Sequence, residues 1–318
     1  MSDKKSPKAQ PELESHSRRE LIVNTARLGS LGVATSLLSP AQKAWAFRNV
    51  IGFWRINTVT GLFAWGSNTN GQLGGAIAGR ITPTTNWAFL GTQSSTSMAV
   101  KTDGTLWTWG YNFHGQLGDG TTVNKNSPIQ VGSLSDWSEV VGAALSAVAR
   151  KTDGTLWAWG QGTSGVLGVG SSTNLSSPVQ IGALSDWSKI AGGYRFFLAK
   201  KTGGTLWAWG EGEYGQLGDG NSGFSYSRSS PIQVGALSNW SKVACGSYHS
   251  MAIKTNGTLW VWGYNYQGQL GWATWKWQQI GGLANWKSGS LGQTHTVAVK
   301  TDGTLWTWGD NQAGKLAD

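Results

Sequence analysis

A ten-residue stretch, Lys-Thr-Asp-Gly-Thr-Leu-Trp-x-Trp-Gly, returns along this chain with almost no change and limits what it can fold into. It reads KTDGTLWTWG from Lys101, KTDGTLWAWG from Lys151, KTGGTLWAWG from Lys201, KTNGTLWVWG from Lys254 and KTDGTLWTWG from Lys300. A degenerate copy, TGLFAWG, begins at Thr60. The second tryptophan falls at 65, 109, 159, 209, 262 and 308, giving steps of 44, 50, 50, 53 and 46 residues. Self-similarity at this period marks units that cannot bury an apolar face alone and must stack on their neighbours, as solenoids and propellers do.

The copy over residues 137–182 shows what one unit contains. SDWSEVVGAALSAVARK supplies two short apolar stretches separated by small residues. Asp153-Gly154 favours positive φ and predicts a two-residue hairpin turn. Period-2 alternation then puts Trp157 and Trp159 on one face, with Leu156 and Ala158 on the other. GVLG at 165–168 makes the next turn, and SPVQIG at 177–182 a last, proline-limited outer strand. Four short strands per repeat predict an all-β propeller of four-stranded blades, with six repeat signatures. The paired tryptophans are read as packing between blades. His249 and His295 stand where other copies have Thr96, Ser146 and Phe196, so they are read as packing residues too. Cys245, the one cysteine, stands where other copies have Gly142 or Gly192 and is read as a small buried residue.

The succession G-x-L-W-x-W-G, then G-Q-L-G at 71–74, 115–118, 215–218 and 268–271, then P-x-Q-V-G and W-x-x-V-x-x-G resembles the regulator of chromosome condensation repeat family. The resemblance covers about residues 50–318 and implies a closed β-propeller, in that family usually of seven blades. This chain offers six signatures. The first lacks a clear W-x-x-V-x-x-G strand and the last stops at GKLAD, so the two ends are expected to complete one blade between them. Family members include a nuclear exchange factor, chromatin binders and a secreted bacterial β-lactamase inhibitor, so the resemblance does not transmit one function.

Residues 1–46 are read as a twin-arginine-like signal peptide and 47–318 as the propeller. Ser17-Arg18-Arg19-Glu20-Leu21-Ile22 precedes a weakly apolar segment around 28–38 and then Ala44-Trp45-Ala46, a small-x-small site. The expected location is outside the cytoplasm, and no run is apolar enough to span a membrane. Net charge is +9; with 7 Lys/Arg against 4 Asp/Glu in the leader, the remainder carries 18 against 12, or +6. That mild surplus does not call for nucleic acid.

No chemistry-bearing constellation is present: no His-x-x-His, no cysteine cluster and no Gly-x-Ser-x-Gly elbow, hence no expected metal, cofactor or catalytic residue. Glu211 and Glu213 lie two apart on one loop, which is not evidence of glycosidase spacing. A hydrolase is therefore the third reading.

Binding positions are sought where the repeat breaks, because the scaffold does not require those residues. In the fifth repeat Trp272, Trp275 and Trp277 replace polar residues, on or just before the outermost strand; they suit a protein or a glycan, or else packing that compensates a shortened connection. Tyr111, Phe113 and His114, then Glu211, Glu213 and Tyr214, then Tyr264 and Tyr266 follow successive Trp-Gly pairs on what should be one rim. Lys101, Lys151, Lys201, Lys254 and Lys300 predict a ring of positive charge, a weak candidate for anions. The reading is an exported, non-enzymatic scaffold for a protein partner, with a lectin-like module as the alternative. Oligomeric state is left open.

Overall fold

The computed structural model describes residues 53–57, 61–65, 68–74, 79–80, 86–92, 95–271, 275–312 and 314–316. Residues 1–46, with the Arg18-Arg19 pair read as part of a leader, and also Trp272, lie outside the described residues.

Six antiparallel sheets follow one another along the chain. Blades two to five have four strands each, over 87–130, 137–180, 187–233 and 240–279. In each, the strand opening on Trp87, Trp137, Trp187 or Trp240 pairs with the strand ending on Lys101, Lys151, Lys201 or Lys254. That strand pairs in turn with the Leu-Trp-x-Trp-Gly strand, and an outer strand closes the blade. Blade one has three described strands, Phe53–Asn57, Gly61–Trp65 and Gly79–Arg80. Blade six also has three, Trp286–Leu291, His295–Lys300 and Leu305–Gly309. These are separate sheets, so the described ends do not share a blade as the missing strands predicted.

Inner strands lie backbone to backbone, which is why small residues recur there. A Cβ on Gly192 would stand 2.3 Å from the Gly142 carbonyl oxygen. Cys245 occupies the equivalent place and is half-buried, its Sγ 3.5 Å from the Ala191 carbonyl; burial pushes its thiol well up.

The repeated motif is accounted for atom by atom within its hairpin. Thr152-Asp153-Gly154 form a three-residue loop, with the Lys151 N–H on the Thr155 carbonyl and the Gly154 N–H on the Lys151 carbonyl. This corrects the two-residue turn: glycine at φ 82° follows a tight turn instead of being its second residue. Asp153 Oδ1 accepts the Thr155 N–H at 2.8 Å and its hydroxyl at 2.7 Å. Thr155 Oγ1 then accepts the Trp157 indole N–H at 3.0 Å. Asp103, Thr105 and Trp107 repeat the chain, as do Asp302, Thr304 and Trp306. Thr155 holds the Asp153 carboxyl below the usual carboxylate range, first through its backbone N–H and then its hydroxyl.

The second tryptophan of the motif joins blade to blade. Trp109, Trp159, Trp209 and Trp262 are fully buried. Trp159 donates its N–H to the Gln116 carbonyl and Trp262 to that of Gln216, each in the Gly-Gln-Leu-Gly turn of the preceding blade. A Cβ on Gly118 would meet the Trp159 ring at 2.9 Å, so this turn must be bare for the indole to lie on it. Each such indole buries about 150–250 Å² and carries much of the inter-blade energy. His249 is fully buried, with Nε2 3.1 Å from Thr296 Oγ1 of blade six.

Candidate functional site

Strand direction gives the run of blades two rims. One carries the Lys-Thr-Asp-Gly hairpins and the entries to the inner strands. The other carries the loops after each Trp-Gly pair and the loops from inner to second strand. Backbone bonds place these two loop sets side by side: Glu211 N–H on the Arg195 carbonyl, and Tyr264 N–H on the Tyr248 carbonyl.

On the hairpin rim the five lysines are not a solvated ring. Each ammonium lies over two indoles of its own blade: Lys101 is 3.9 Å from the Trp107 centroid and 5.1 Å from that of Trp87. Lys151, Lys201, Lys254 and Lys300 repeat this on Trp157, Trp207, Trp260 and Trp306, with a second indole at 5.0–5.1 Å. Lys151, Lys201 and Lys300 are buried. Asp136 pairs with Lys151 at 3.2 Å and Asp186 with Lys201 at 3.1 Å. Their first job is cation–π packing that closes the hairpin end of each blade. What this rim exposes is repeated as well: Leu134, Leu184, Leu237 and Leu283, one per connection.

The loop rim differs from blade to blade. In blade two, buried Asn112 ties its loop together, accepting the Leu117 N–H and donating to Asp119 and to the Thr121 and Val123 carbonyls. On that frame Phe113 is exposed, with His114 at 5.2 Å and edge-on, and Tyr111 lies 6.5 Å from His114. The matching loop of blade three, Gln161-Gly162-Thr163-Ser164, has no aromatic residue. The structure therefore does not join the blade-two trio to the later aromatics.

Across blades four and five five tyrosines run in contact. Tyr194 lies 5.3 Å from Tyr248, Tyr248 5.3 Å from Tyr214, Tyr214 4.9 Å from Tyr264, and Tyr264 6.3 Å from Tyr266. The Tyr194 N–H bonds the Ser247 carbonyl, fixing one blade's loop to the next. Glu211 is 9% exposed beneath this cluster, with Arg195 Nη1 at 3.8 Å from Oε2. Burial pushes the Glu211 carboxyl up, Arg195 opposes this, and Glu213 adds to it. The Tyr214 phenol is pushed up to about 12, first by desolvation and then by its hydrogen bond to Glu213. The Arg195 guanidinium thus faces Glu211 under an aromatic surface, with the Glu213 carboxylate near enough to Glu211 to raise it.

Sequence reasoning named Tyr214, Tyr264, Tyr266, Glu211 and Glu213 here and missed Tyr194, Arg195 and Tyr248. It also missed Phe224 and Tyr226, which are exposed on a connection three residues longer than that of blade two. The 53-residue step carried that signal. The connection is fixed to the cluster by the Gly223 N–H on the Glu213 carbonyl.

The tryptophans of the fifth repeat take another role. Trp277 stacks on Trp262 at 3.8 Å and 13°, and its indole donates to the Gly218 carbonyl at 2.9 Å. Trp275 is half-buried, its ring 2.5 Å from where a Gly215 Cβ would stand. Neither is a free platform. They pack the seam between blades four and five, where the outer strand shrinks to Gln278–Gln279. Among the described residues no His/Cys/Asp/Glu group could hold a metal, and no helix is long and apolar enough to cross a membrane.

Residues 61–318 match the family model described as RCC1-like domain. The chain belongs to the RCC1-like domain family. Solved structures agree in fold. Prp20p from Saccharomyces cerevisiae superposes with a TM-score of 0.73 at 19% identity over 84% of this chain and 72% of that one; its structure is described with its binding properties to Gsp1p and histones. Yeast RCC1 (Prp20) with Kap60 bound gives 0.70 at 17% identity, over 82% and 68%. Human WBSCR16 gives 0.69 at 20% identity, over 81% and 73%. At these identities the likeness is one of fold.

Proposed function

We propose that this RCC1-like chain is an exported, non-enzymatic scaffold that binds a protein partner through the loop rim of blades four and five. The observation that carries the reading is the run of five contacting tyrosines over Glu211. Tyrosines of this kind give large contact area at low entropic cost and are enriched where proteins meet. Two carboxylates against one guanidinium favour a partner that presents lysine or arginine over the rings. The protein binding described for Prp20p and yeast RCC1 supports a protein over a small molecule. Export is supported by Arg18-Arg19, the segment that follows and the Ala44-x-Ala46 site.

Affinity capture from the native envelope or medium tests this, with wild type beside Tyr214→Ala/Tyr248→Ala. The proposal expects a protein retained by wild type, lost by the variant and indifferent to added sugars. Competition by sugars would instead favour the lectin reading. Replacing Arg18 and Arg19 by lysine is expected to leave the precursor inside the cell.

A further inference from the structure

On the hairpin rim, a cleft of about 390 Å³ opens between blades five and six. Lys242, Lys254 and Lys287 line it together with Asn256, Thr301 and Trp286, and no aspartate or glutamate lines it. This is a charge arrangement the other blades avoid. In blades three and four an aspartate just before the inner strand, Asp136 or Asp186, meets the bracketed lysine. In blades two, three and six the hairpin adds Asp103, Asp153 or Asp302. Blade five has Asn239 at the first position and Asn256 at the second, so Lys254 is the bracketed lysine with asparagine at both.

The inner-strand lysines tell the same story. Lys189 of blade four is neutralised by buried Glu139, which Arg150 also holds at 3.6 Å. Lys242 stands at the matching register in blade five and donates instead to the Lys287 backbone carbonyl across the cleft. Lys287 and Lys242 are both exposed. Asn256 Oδ1 accepts from the Thr258 N–H and hydroxyl, so its amide NH₂ is the end left to donate. Two exposed ammonium groups, a third on Lys254 held over the Trp240 and Trp260 indoles, an amide donor and no acceptor charge make a receptor for a compact multiply charged oxyanion.

We propose that this cleft binds a phosphate group, carried either by a free ion or by a chain of phosphates. The site stands apart from the tyrosine face, and neither depends on the other.

Calorimetry on the full chain at fixed ionic strength tests it, with inorganic phosphate and tripolyphosphate as probes. Lys242→Gln/Lys287→Gln is expected to weaken binding, by roughly fivefold per lysine. Asn239→Asp/Asn256→Asp restores the pattern of blade three and is expected to weaken it similarly, with unchanged thermal midpoint. Lys276→Gln, on an exposed lysine outside the cleft, should bind as wild type does. Tripolyphosphate binding much tighter than phosphate identifies a chain of phosphates, and equal affinity identifies a single group. No heat with either probe, or the same affinity in the wild type and both double variants, overturns the site.

Discussion

The hairpin rim and the loop rim are built from the same strands, yet one is nearly uniform and the other is not. On the hairpin rim Lys, Asp, Gly, Thr and Trp satisfy one another inside a single blade, so every copy can be the same. On the loop rim only the turn skeleton repeats: Gln116, Gln216 and Gln269 each accept the N–H of the residue two before them. What the skeleton presents changes from Phe113-His114 to Thr163-Ser164 to Glu213-Tyr214 to Tyr266-Gln267. Constancy here marks the groups that hold the fold, and variation marks those free to meet a partner. The cleft beside Lys254 obeys the same rule, because it lies where the uniform rim breaks its own charge pattern.

That contrast can be broken at four strengths. Trp209 is fully buried, stacked on Phe197 at 5.7 Å and lying on the Gly168 turn. Trp209→Ala is expected to cost about 3–5 kcal/mol in chemical denaturation, whereas Tyr266→Ala on the 81% exposed loop tyrosine should leave the midpoint unmoved.

His249 comes next. Burial, with His295 alongside, lowers it from 6.5 to about 3, so it stays neutral in the fold. A depressed histidine leaves stability fully present above its ordinary value and draws it down as pH falls toward the folded one. Wild type should therefore lose a few kcal/mol more than His249→Phe between pH 6.5 and 3. Phe196 fills the same place in blade four, so the variant should fold.

Gly154→Ala would set a Cβ 2.2 Å from the Ser185 carbonyl oxygen at φ 82°, and is expected to cost about 2 kcal/mol. The smallest effect runs the other way. Glu211 is raised by burial, so its charged form burdens the fold as pH rises past the ordinary carboxylate value. Glu211→Gln should raise neutral-pH stability by about 0.5 kcal/mol, as read by the thermal midpoint, while weakening partner binding.

Blades, strand order and inter-blade tryptophans were legible in the sequence because each is a periodic demand of packing. The lysine brackets were not. Lys101 and Trp107 are six apart, and only the three-residue hairpin loop folds one over the other. Tyr194 and Tyr248 were missed for a related reason: they sit between inner and second strands, and strand direction alone brings them beside the loops after Trp-Gly. Trp277 was offered as a binding position because it breaks the repeat. With a two-residue outer strand its ring instead turns inward onto Trp262.

The loop rim of blades four and five is proposed to carry partner binding, with no contribution from the hairpin rim. The most direct test is the affinity of the captured partner for two variants of matched thermal midpoint, Tyr214→Ala/Tyr248→Ala and Lys242→Gln/Lys287→Gln. A loss of at least about thirtyfold is expected for the tyrosine pair, with wild-type affinity for the lysine pair. Wild-type affinity for the tyrosine pair, or a comparable loss for the lysines, would contradict it.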